Sequence, residues 1–257
     1  MTINDAHVHM GYWHNRAQSQ HALYYSPAQI LAHINLSCIN RFCVSSTSVF
    51  EESLAFVQDE HREMEQIAEG RCYHFLWMRD VWFDTDPCLD QVDQDIPFVG
   101  LKLHNEESEW IAAPERFNRI LAIAKERRWV VQVHTGNGKS DAVFYLPFCS
   151  AFPDVRFNLS HSRPVQSAIQ VATMCPNVFL DCSFASEETI KSLVDADLSK
   201  RLMFGTDFPI TNEFGIDDFS SYVSERSSLI RRLAGDHAKD ILSENLLSFL
   251  NLKSKSH

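Results

Sequence analysis

The sequence contains little that would divide the chain or tether it to a membrane. It has only 8 glycines and 9 prolines in 257 residues, and they form no Gly-, Pro- or Ser-rich linker. No stretch approaches the roughly 18 apolar residues of a membrane-spanning helix. The first residues show neither the basic start nor the apolar run of a signal peptide. These absences predict no membrane association and a single domain over residues 1–257.

An excess of basic charge is also missing, as is any paired cysteine motif. The formal net charge is −11, whereas nucleic-acid binding needs basic patches, so no nucleic-acid partner is expected. The 7 cysteines are odd in number, scattered and without a C-x-x-C pair. This usage predicts reduced thiols in a cytoplasmic protein. A small-molecule substrate remains open even if it is anionic, because a metal and a few arginines can reverse the field locally.

What the sequence does contain is a regular alternation of short apolar runs with helical patterns. Strands that are apolar along their whole length are typical of parallel sheets covered on both faces. Eight such units in about 250 residues favour an α/β protein with a closed (β/α)8 TIM barrel over an open sheet. The predicted strands are Ile3–His9, Ile39–Ser45, Arg71–Arg79, Phe98–His104, Trp129–Thr135, Val155–His161, Val178–Phe184 and Arg201–Asp207.

The first predicted strand ends in the sequence Asp-Ala-His-Val-His. Residues i and i+2 of a strand point to the same side, so His7 and His9 share a face at the carboxyl end of this strand. Barrel enzymes carry their active sites at that end. Two imidazoles held side by side can bind zinc, manganese or iron. Taken alone, the pair is explained equally well as two surface histidines.

Three more predicted strands end in a group that can bind a metal or move a proton. Strands five and six end in His134 and His161, and strand eight ends in Asp207. Each alone has an ordinary explanation, as a buried core histidine or a turn aspartate. Together with the first strand they predict a divalent-metal site. Histidines would hold the metal, the metal would lower the pKa of bound water, and a carboxylate would accept the proton.

Further polar residues at strand ends are candidates for substrate binding. Lys102 and His104 share one face of the fourth strand, and a lysine among apolar residues is unusual because burying an ammonium is costly. Lys102 can pair with a substrate carboxylate, bridge two metals after carboxylation, or reach water at the rim. Arg79 and Arg163 can bind a carboxylate through paired hydrogen bonds or form ordinary salt bridges. We predict substrate-binding roles for Arg79, His104 and Arg163.

Five segments, taken in order, resemble the motifs of the amidohydrolase superfamily. They are Asp-Ala-His-Val-His, Gly-Leu-Lys-Leu-His, Val-His-Thr-Gly, Leu-Ser-His and Phe-Gly-Thr-Asp-Phe-Pro. The chain is most similar to the small single-domain branch, which includes aminocarboxymuconate semialdehyde decarboxylase, resorcylate decarboxylase and pyrone dicarboxylate lactonase. The resemblance runs from residue 5 to about residue 252. It departs at Ser162-Arg163-Pro164, where the family often has glycines, and this crowds the mouth and adds a cation.

The resemblance implies roles for these residues. The implied metal ligands are His7, His9, His134 and Asp207. Asp207 would also be the general base, while His161 would shuttle protons or bind a second metal. Lys102 matches the position that is carboxylated in binuclear members, but we expect one divalent metal, zinc in the first place and manganese as the alternative. Barrels of this branch often dimerise, so a homodimer is expected.

These roles predict hydrolysis of an amide, lactone or ester of a small, carboxylated molecule by a metal-activated water. Asp207 would take the proton and His161 would help to hold the developing oxyanion. Decarboxylation or hydration at the same site is the alternative, since those reactions share the ligands. Phosphoester hydrolysis is a further alternative, which two metals and a carboxylated Lys102 would support. A barrel that has lost catalysis and only binds a ligand is the alternative from another class.

Overall fold

Eight parallel strands close into a (β/α)8 barrel in the computed structural model, which describes residues 2–13, 23–80, 82, 89, 92–216 and 218–252. The sheet order is β2-β1-β3-β4-β5-β6-β7-β8-β9, in which only β2 is antiparallel. The strands are β1 (Ile3–Trp13), β2 (Leu23–Tyr25), β3 (Ile39–Ser46), β4 (Cys72–Trp77), β5 (Phe98–Leu103), β6 (Val130–His134), β7 (Phe157–Ser160), β8 (Val178–Asp181) and β9 (Leu202–Met203). The predicted fold class is confirmed.

Helices lie between successive strands of the barrel, and two more follow the last strand. They are α1 (Pro27–Leu36), α2 (Leu54–Ile67), α3 (Asn105–Ser108), α4 (Pro114–Arg127), α5 (Leu146–Ala151), α6 (Val165–Met174), α7 (Glu187–Asp195), α8 (Phe219–Ala234) and α9 (Asn245–Phe249). Local chemistry sets their starts: Ser26 and Gln29 form a reciprocal capping box before Pro27, which pre-organises the first turn. No helix among the described residues is both long and apolar enough to cross a membrane.

The barrel closes between its first and last strands through three backbone hydrogen bonds. Ala6 N–H donates to the Phe204 carbonyl at 2.9 Å, Asp207 N–H to the His7 carbonyl at 2.7 Å, and His9 N–H to the Phe208 carbonyl at 2.7 Å. The strand β9 itself is only two residues long. The backbone groups of residues in the predicted site therefore close the barrel, and we call this junction of the first and last strands the seam.

A β-bulge in β1 separates the barrel floor from the site. Asp5 pairs with Phe42 and Val8 with Val44, so two residues of β1 lie opposite one residue of β3, and such a bulge redirects side chains. Ala6 joins a small apolar cluster, whereas His7 enters the cavity described below. The cluster takes one residue from each of six barrel strands and two from α9: Ala6, Cys43, Phe75, Val130, Phe179, Met203, Leu246 and Phe249. We infer that it fills the barrel beneath the site.

One feature differs from the sequence-based expectation. The first strand was expected to end at His9, but β1 continues to Trp13 and pairs antiparallel with β2, with Gly11 opposite Tyr25. The region between them has no alternating apolar pattern that would indicate a hairpin. The cysteines agree with the expectation: the six among the described residues are free and five are buried, while Cys88 lies outside those residues.

Candidate metal centre

A cavity of about 430 Å³ opens at the carboxyl ends of the barrel strands. Its aromatic and aliphatic wall includes Trp13, Phe50, Trp77, Phe184 and Ile210. Its polar lining includes eight of the nine predicted site residues: His7, His9, Lys102, His104, His134, His161, Arg163 and Asp207. Chain segments far apart in sequence are thus brought together at the end of the barrel where such sites form.

Three potential ligand atoms converge at the floor of the cavity. His7 Nε2 lies 3.1 Å from His9 Nε2, and Asp207 Oδ1 lies 3.2 Å and 2.9 Å from these two nitrogens. All three side chains are almost completely buried. Ligand atoms that bind one zinc ion at about 2.0–2.2 Å lie about 3 Å apart. The spacing therefore fits a single divalent metal held by both strand-one histidines and Asp207.

Hydrogen bonding gives independent support for a cation at this point. Asp207 Oδ1 is buried, and no donor points at it with acceptable geometry. His9 Nδ1 lies 2.9 Å from Ser45 Oγ; when the proton of His9 is on Nδ1 and donated to this oxygen, Nε2 is left with a free lone pair. Lone pairs facing one another at about 3 Å repel unless a positive charge lies between them. The residues present thus fit a divalent metal.

Lys102 supplies a positive charge at the edge of this cluster. Its side chain is 1% exposed, and Nζ lies 2.9 Å from His7 Nε2 and 3.4 Å from Ser160 Oγ. Burial lowers the pKa of Lys102 to about 8, against the opposing effect of the Asp207 and Asp181 carboxylates. The structure therefore rules out the alternative in which the Lys102 ammonium reaches water at the barrel rim.

Burial sets the protonation of the other groups. It lowers the pKa of His9 to about 4 and that of His161 to about 3, so both imidazoles are neutral at pH 7. Burial alone would raise the pKa of Asp207, but His7, His9 and His161 outweigh it and hold the pKa below its usual range. Neutral imidazoles beside an ionised carboxylate are the forms that bind a metal.

His134 and His104 lie next to this cluster. His134 stacks on His104 with ring centroids 3.9 Å apart, and His134 Nδ1 lies 3.2 Å from His161 Nε2. Two groups of described residues could hold a metal, His7–His9–Asp207 and His7–His161–Asp181. His134 belongs to neither group, so its role as a ligand stays a prediction.

The two predicted arginines are placed differently. Arg163 lines the cavity, and its Nη2 donates to the Phe184 carbonyl at 3.3 Å. Arg79 is not among the cavity-lining residues; its Nη1 donates to the Val49 carbonyl at 3.0 Å and its guanidinium lies over the Phe50 ring. Arg163 is therefore the better placed of the two for a substrate group.

Strained backbone marks the same edge of the barrel. His161, Ser162, Phe184 and Asp207 have φ values of 67°, 54°, 54° and 60°, in the left-handed region that residues other than glycine rarely adopt. Such conformations persist where the surroundings enforce them, and they cluster at functional sites. The strain falls at the carboxyl ends of the last three barrel strands.

Sequence reasoning did not identify Asp5, Asp181 and Ser183. Asp5 accepts hydrogen bonds from the Thr206 hydroxyl at 2.6 Å and the His7 N–H at 2.9 Å, and burial raises its pKa to about 7. Asp181 Oδ2 lies 3.3 Å from His7 Nδ1. The signal for Asp181 was available, because it ends the buried run Val-Phe-Leu-Asp of β8 just as histidines end other strands.

A (β/α)8 barrel with a His-x-His pair on its first strand and an aspartate after its last is the arrangement of the amidohydrolase superfamily. A family model described as Amidohydrolase matches residues 5–240, which is most of the chain. The chain therefore belongs to the amidohydrolase family. The predicted resemblance is confirmed.

Solved structures with the same fold include proteins of several kinds. A probable 2-pyrone-4,6-dicarboxylic acid hydrolase from Acinetobacter baumannii, with citric acid bound, is 13% identical, with a TM-score of 0.70 and coverage of 98% of this chain and 100% of that chain. A zinc-bound amidohydrolase from Burkholderia multivorans is 14% identical (TM-score 0.71; 98% and 100% covered). The IDCase of Metarhizium anisopliae is 16% identical (TM-score 0.71; 99% and 98% covered). No curated protein sequence matches the chain.

Proposed function

We propose that this amidohydrolase is a divalent-metal-dependent hydrolase of a lactone, ester or amide in a small, carboxylated molecule. The observation that supports it most is the convergence of His7 Nε2, His9 Nε2 and Asp207 Oδ1 within 3.2 Å of one another. These atoms form the floor of a cavity sized for a small molecule. Hydrolysis at such a site needs a polarised carbonyl, an activated water and a proton acceptor.

The three converging residues would hold the metal, with zinc favoured by the nitrogen-rich donor set. A bound divalent metal would polarise the carbonyl and make water acidic near neutral pH. A structurally similar amidohydrolase binds zinc, which supports the choice of zinc over manganese. A second metal would use the His7–His161–Asp181 group, but both groups share His7, so we propose one metal.

The proton-transfer groups lie beside this point. Asp207 Oδ2 is 3.9 Å from His161 Nε2, too far for a direct hydrogen bond. Both atoms can thus contact the same small group in the cavity. Asp207 is ionised and His161 is neutral at pH 7 for the reasons given above, so both can accept a proton. Asp207 would act as the general base, with His161 as the second proton-carrying group.

The cationic side chains of the cavity suit a carboxylated substrate. Lys102 and Arg163 are the cationic side chains that line the cavity. The stacked rings of Trp77 and His104, with centroids 5.8 Å apart and nearly parallel planes, form part of a flat aromatic wall. A similar protein named as a pyrone dicarboxylic acid hydrolase carries bound citric acid. Flat walls and cations together support an unsaturated, carboxylated ring as the substrate.

The test is hydrolysis by zinc-loaded protein of a panel of lactones, esters and amides with and without carboxylates. Asp207→Asn should abolish turnover, while the matched surface change Asp154→Asn should not, because Asp154 is exposed and paired only with Lys125 in the described structure. Turnover that survives in Asp207→Asn, or no hydrolysis by a protein that binds zinc, would refute the proposal.

Decarboxylation is the second candidate. The same metal-binding residues can serve it, and IDCase shares the fold. The apolar wall favours loss of a charged carboxylate as CO₂, because a carboxylate is poorly solvated there. Release of CO₂ from unsaturated acids by zinc-loaded protein, without lactone hydrolysis, would favour this reaction.

A further inference from the structure

One hydroxyl group lies between two imidazole rings of the site. Ser183 Oγ is 3.2 Å from His7 Nδ1 and 2.9 Å from His161 Nδ1, and it also donates a hydrogen bond to Asp181 Oδ1. Ser183 and Asp181 are completely buried. Ser183 follows the strand β8, two residues after Asp181, and neither residue lines the cavity.

The number of protons available at this hydroxyl decides the direction of each hydrogen bond. A serine hydroxyl has one hydrogen to donate and two lone pairs that accept, and an ionised carboxylate only accepts. Because Asp181 cannot donate, the Ser183 hydrogen goes to Asp181 Oδ1. The two imidazoles must then donate, so His7 and His161 each carry a hydrogen on Nδ1.

The surroundings of Asp181 lead to the same assignment. Its Oδ1 accepts from the N–H groups of His161 and Ser183, each at 3.0 Å, and its Oδ2 accepts from Asn158 Nδ2 at 2.9 Å. This set of donors is one that binds a carboxylate in its ionised form. Asp181 Oδ2 also lies 3.3 Å from His7 Nδ1, a contact that is favourable only if that nitrogen carries a hydrogen.

We propose that Ser183, held by Asp181, is a positioning residue that fixes the tautomer of two histidines at once. Both rings then present an Nε2 atom without a hydrogen: that of His7 toward the proposed metal, and that of His161 toward the substrate. His134 Nδ1, 3.2 Å from His161 Nε2, must accordingly be the donor of that pair.

The arrangement changes the expected role of His161, and this part rests on the proposed function. A neutral ring with a bare Nε2 is a proton acceptor and has no hydrogen with which to hold a developing oxyanion. His161 therefore cannot donate at Nε2 before it has taken a proton, and it can take one there only when the substrate displaces the His134 N–H from that lone pair. Lys102, whose ammonium lies at the cavity floor, is a donor available from the start.

A second serine provides a matched control within the chain. Ser45 Oγ lies 2.9 Å from His9 Nδ1 and belongs to β3, on the other side of β1 from Ser183. Ser45→Ala therefore removes the partner of His9 alone, whereas Ser183→Ala removes the partner of His161 and one of two partners of His7. Both changes delete a single oxygen atom at a buried position.

The experiment is nitrogen-15 NMR of the histidine rings in the chelator-treated protein at pH 7.5, where ring correlations distinguish N–H from bare nitrogen. No substrate is needed, so the outcome is independent of the hydrolysis test. The wild type should show His161 with its hydrogen on Nδ1. In Ser183→Ala that signal should move toward the other tautomer, whereas in Ser45→Ala it should stay and only His9 should change. Ser183→Thr, which keeps a hydroxyl, should restore the wild-type pattern.

Zinc affinity is the second readout, with Zn²⁺ itself as the probe in competition with a chromophoric chelator. Loss of a partner behind a metal-binding histidine typically weakens binding 10–100-fold, and we expect this in Ser183→Ala and in Ser45→Ala. A hydrogen on Nε2 of His161 in the wild type would overturn the proposal. So would a His161 spectrum that Ser183→Ala leaves unchanged.

Discussion

Acidification of the metal-free protein should destabilise it through the buried histidines of the site, and His9 allows the effect to be isolated. Its pKa falls from 6.5 in an unfolded chain to about 4 in the fold, mainly because of burial. The unfolded state therefore binds a proton that the folded state does not, between these two pH values. The stabilisation is fully present above pH 6.5 and is lost as the pH falls to about 4.

The magnitude follows from the two pKa values. At about 1.4 kcal/mol for each pH unit between them, the contribution of His9 to the free energy of unfolding changes by about 3 kcal/mol. In urea, this corresponds to a shift of about 1 M in the unfolding midpoint for a chain of this size. Other buried histidines shift the curve in the same direction, so the comparison needs a variant that lacks only the titration of His9.

His9→Gln is that variant, because glutamine is similar in length, polar and does not titrate. Unfolding in urea would be followed by circular dichroism in the presence of a chelator at several pH values from 7.5 to 4. The wild type should lose about 3 kcal/mol more than His9→Gln across this range. If the two proteins lose stability in parallel, His9 is not held neutral by burial and the reasoning about the site's protonation is wrong.

Three further predictions concern the metal and the packing. Free Zn²⁺ at a thousand times its Kd should raise the free energy of unfolding by about 4 kcal/mol, and thermal unfolding of Asp207→Ala should show no such shift if Asp207 is an essential ligand. Gly100→Ala should destabilise by about 1–3 kcal/mol in urea, because its Cβ would lie 2.5 Å from the Val130 carbonyl oxygen; an unchanged midpoint would contradict this packing. Phe249→Ala should cost about 3–5 kcal/mol because Phe249 is 1% exposed in the barrel floor, while zinc affinity should persist; a smaller loss would show that α9 does not close the floor.

Much of the fold could be predicted because buried parallel strands are apolar throughout and their spacing repeats. The predicted start of β3 at Ile39 and that of β5 at Phe98 agree with the structure. The antiparallel pairing of β2 with the end of β1 could not be predicted, because Leu23–Tyr25 is short and its side chains are partly or largely exposed. Exposed strands lack the hydrophobic signal on which such predictions depend.

The site was predictable where a polar residue ends an apolar strand, and less so where geometry depends on contacts between strands. His7, His9 and Asp207 were predicted because each is a polar residue at the end of an apolar predicted strand. The different positions of Arg79 and Arg163 could not be predicted in this way. Both lie at or just after the end of a predicted strand, and only the fold shows that Arg79 donates to the Val49 carbonyl. Ser183 was hidden for a similar reason, because a serine beyond a strand end has no distinctive pattern until its two imidazole neighbours are known.

The seam between the first and last strands has a consequence for how the enzyme is made. The backbone bonds that complete the cylinder join His7 to Asp207 and His9 to Phe208, so two segments that lie far apart in the sequence meet there, and the second is synthesised long after the first. A nascent chain that ends before residue 207 lacks both the closed cylinder and the Asp207 carboxylate. If the protein binds a metal as proposed, metal binding would report that synthesis has passed this point and that the two segments have joined. Incompletely closed barrels should then bind zinc poorly, so that metal affinity would distinguish closed barrels from open ones.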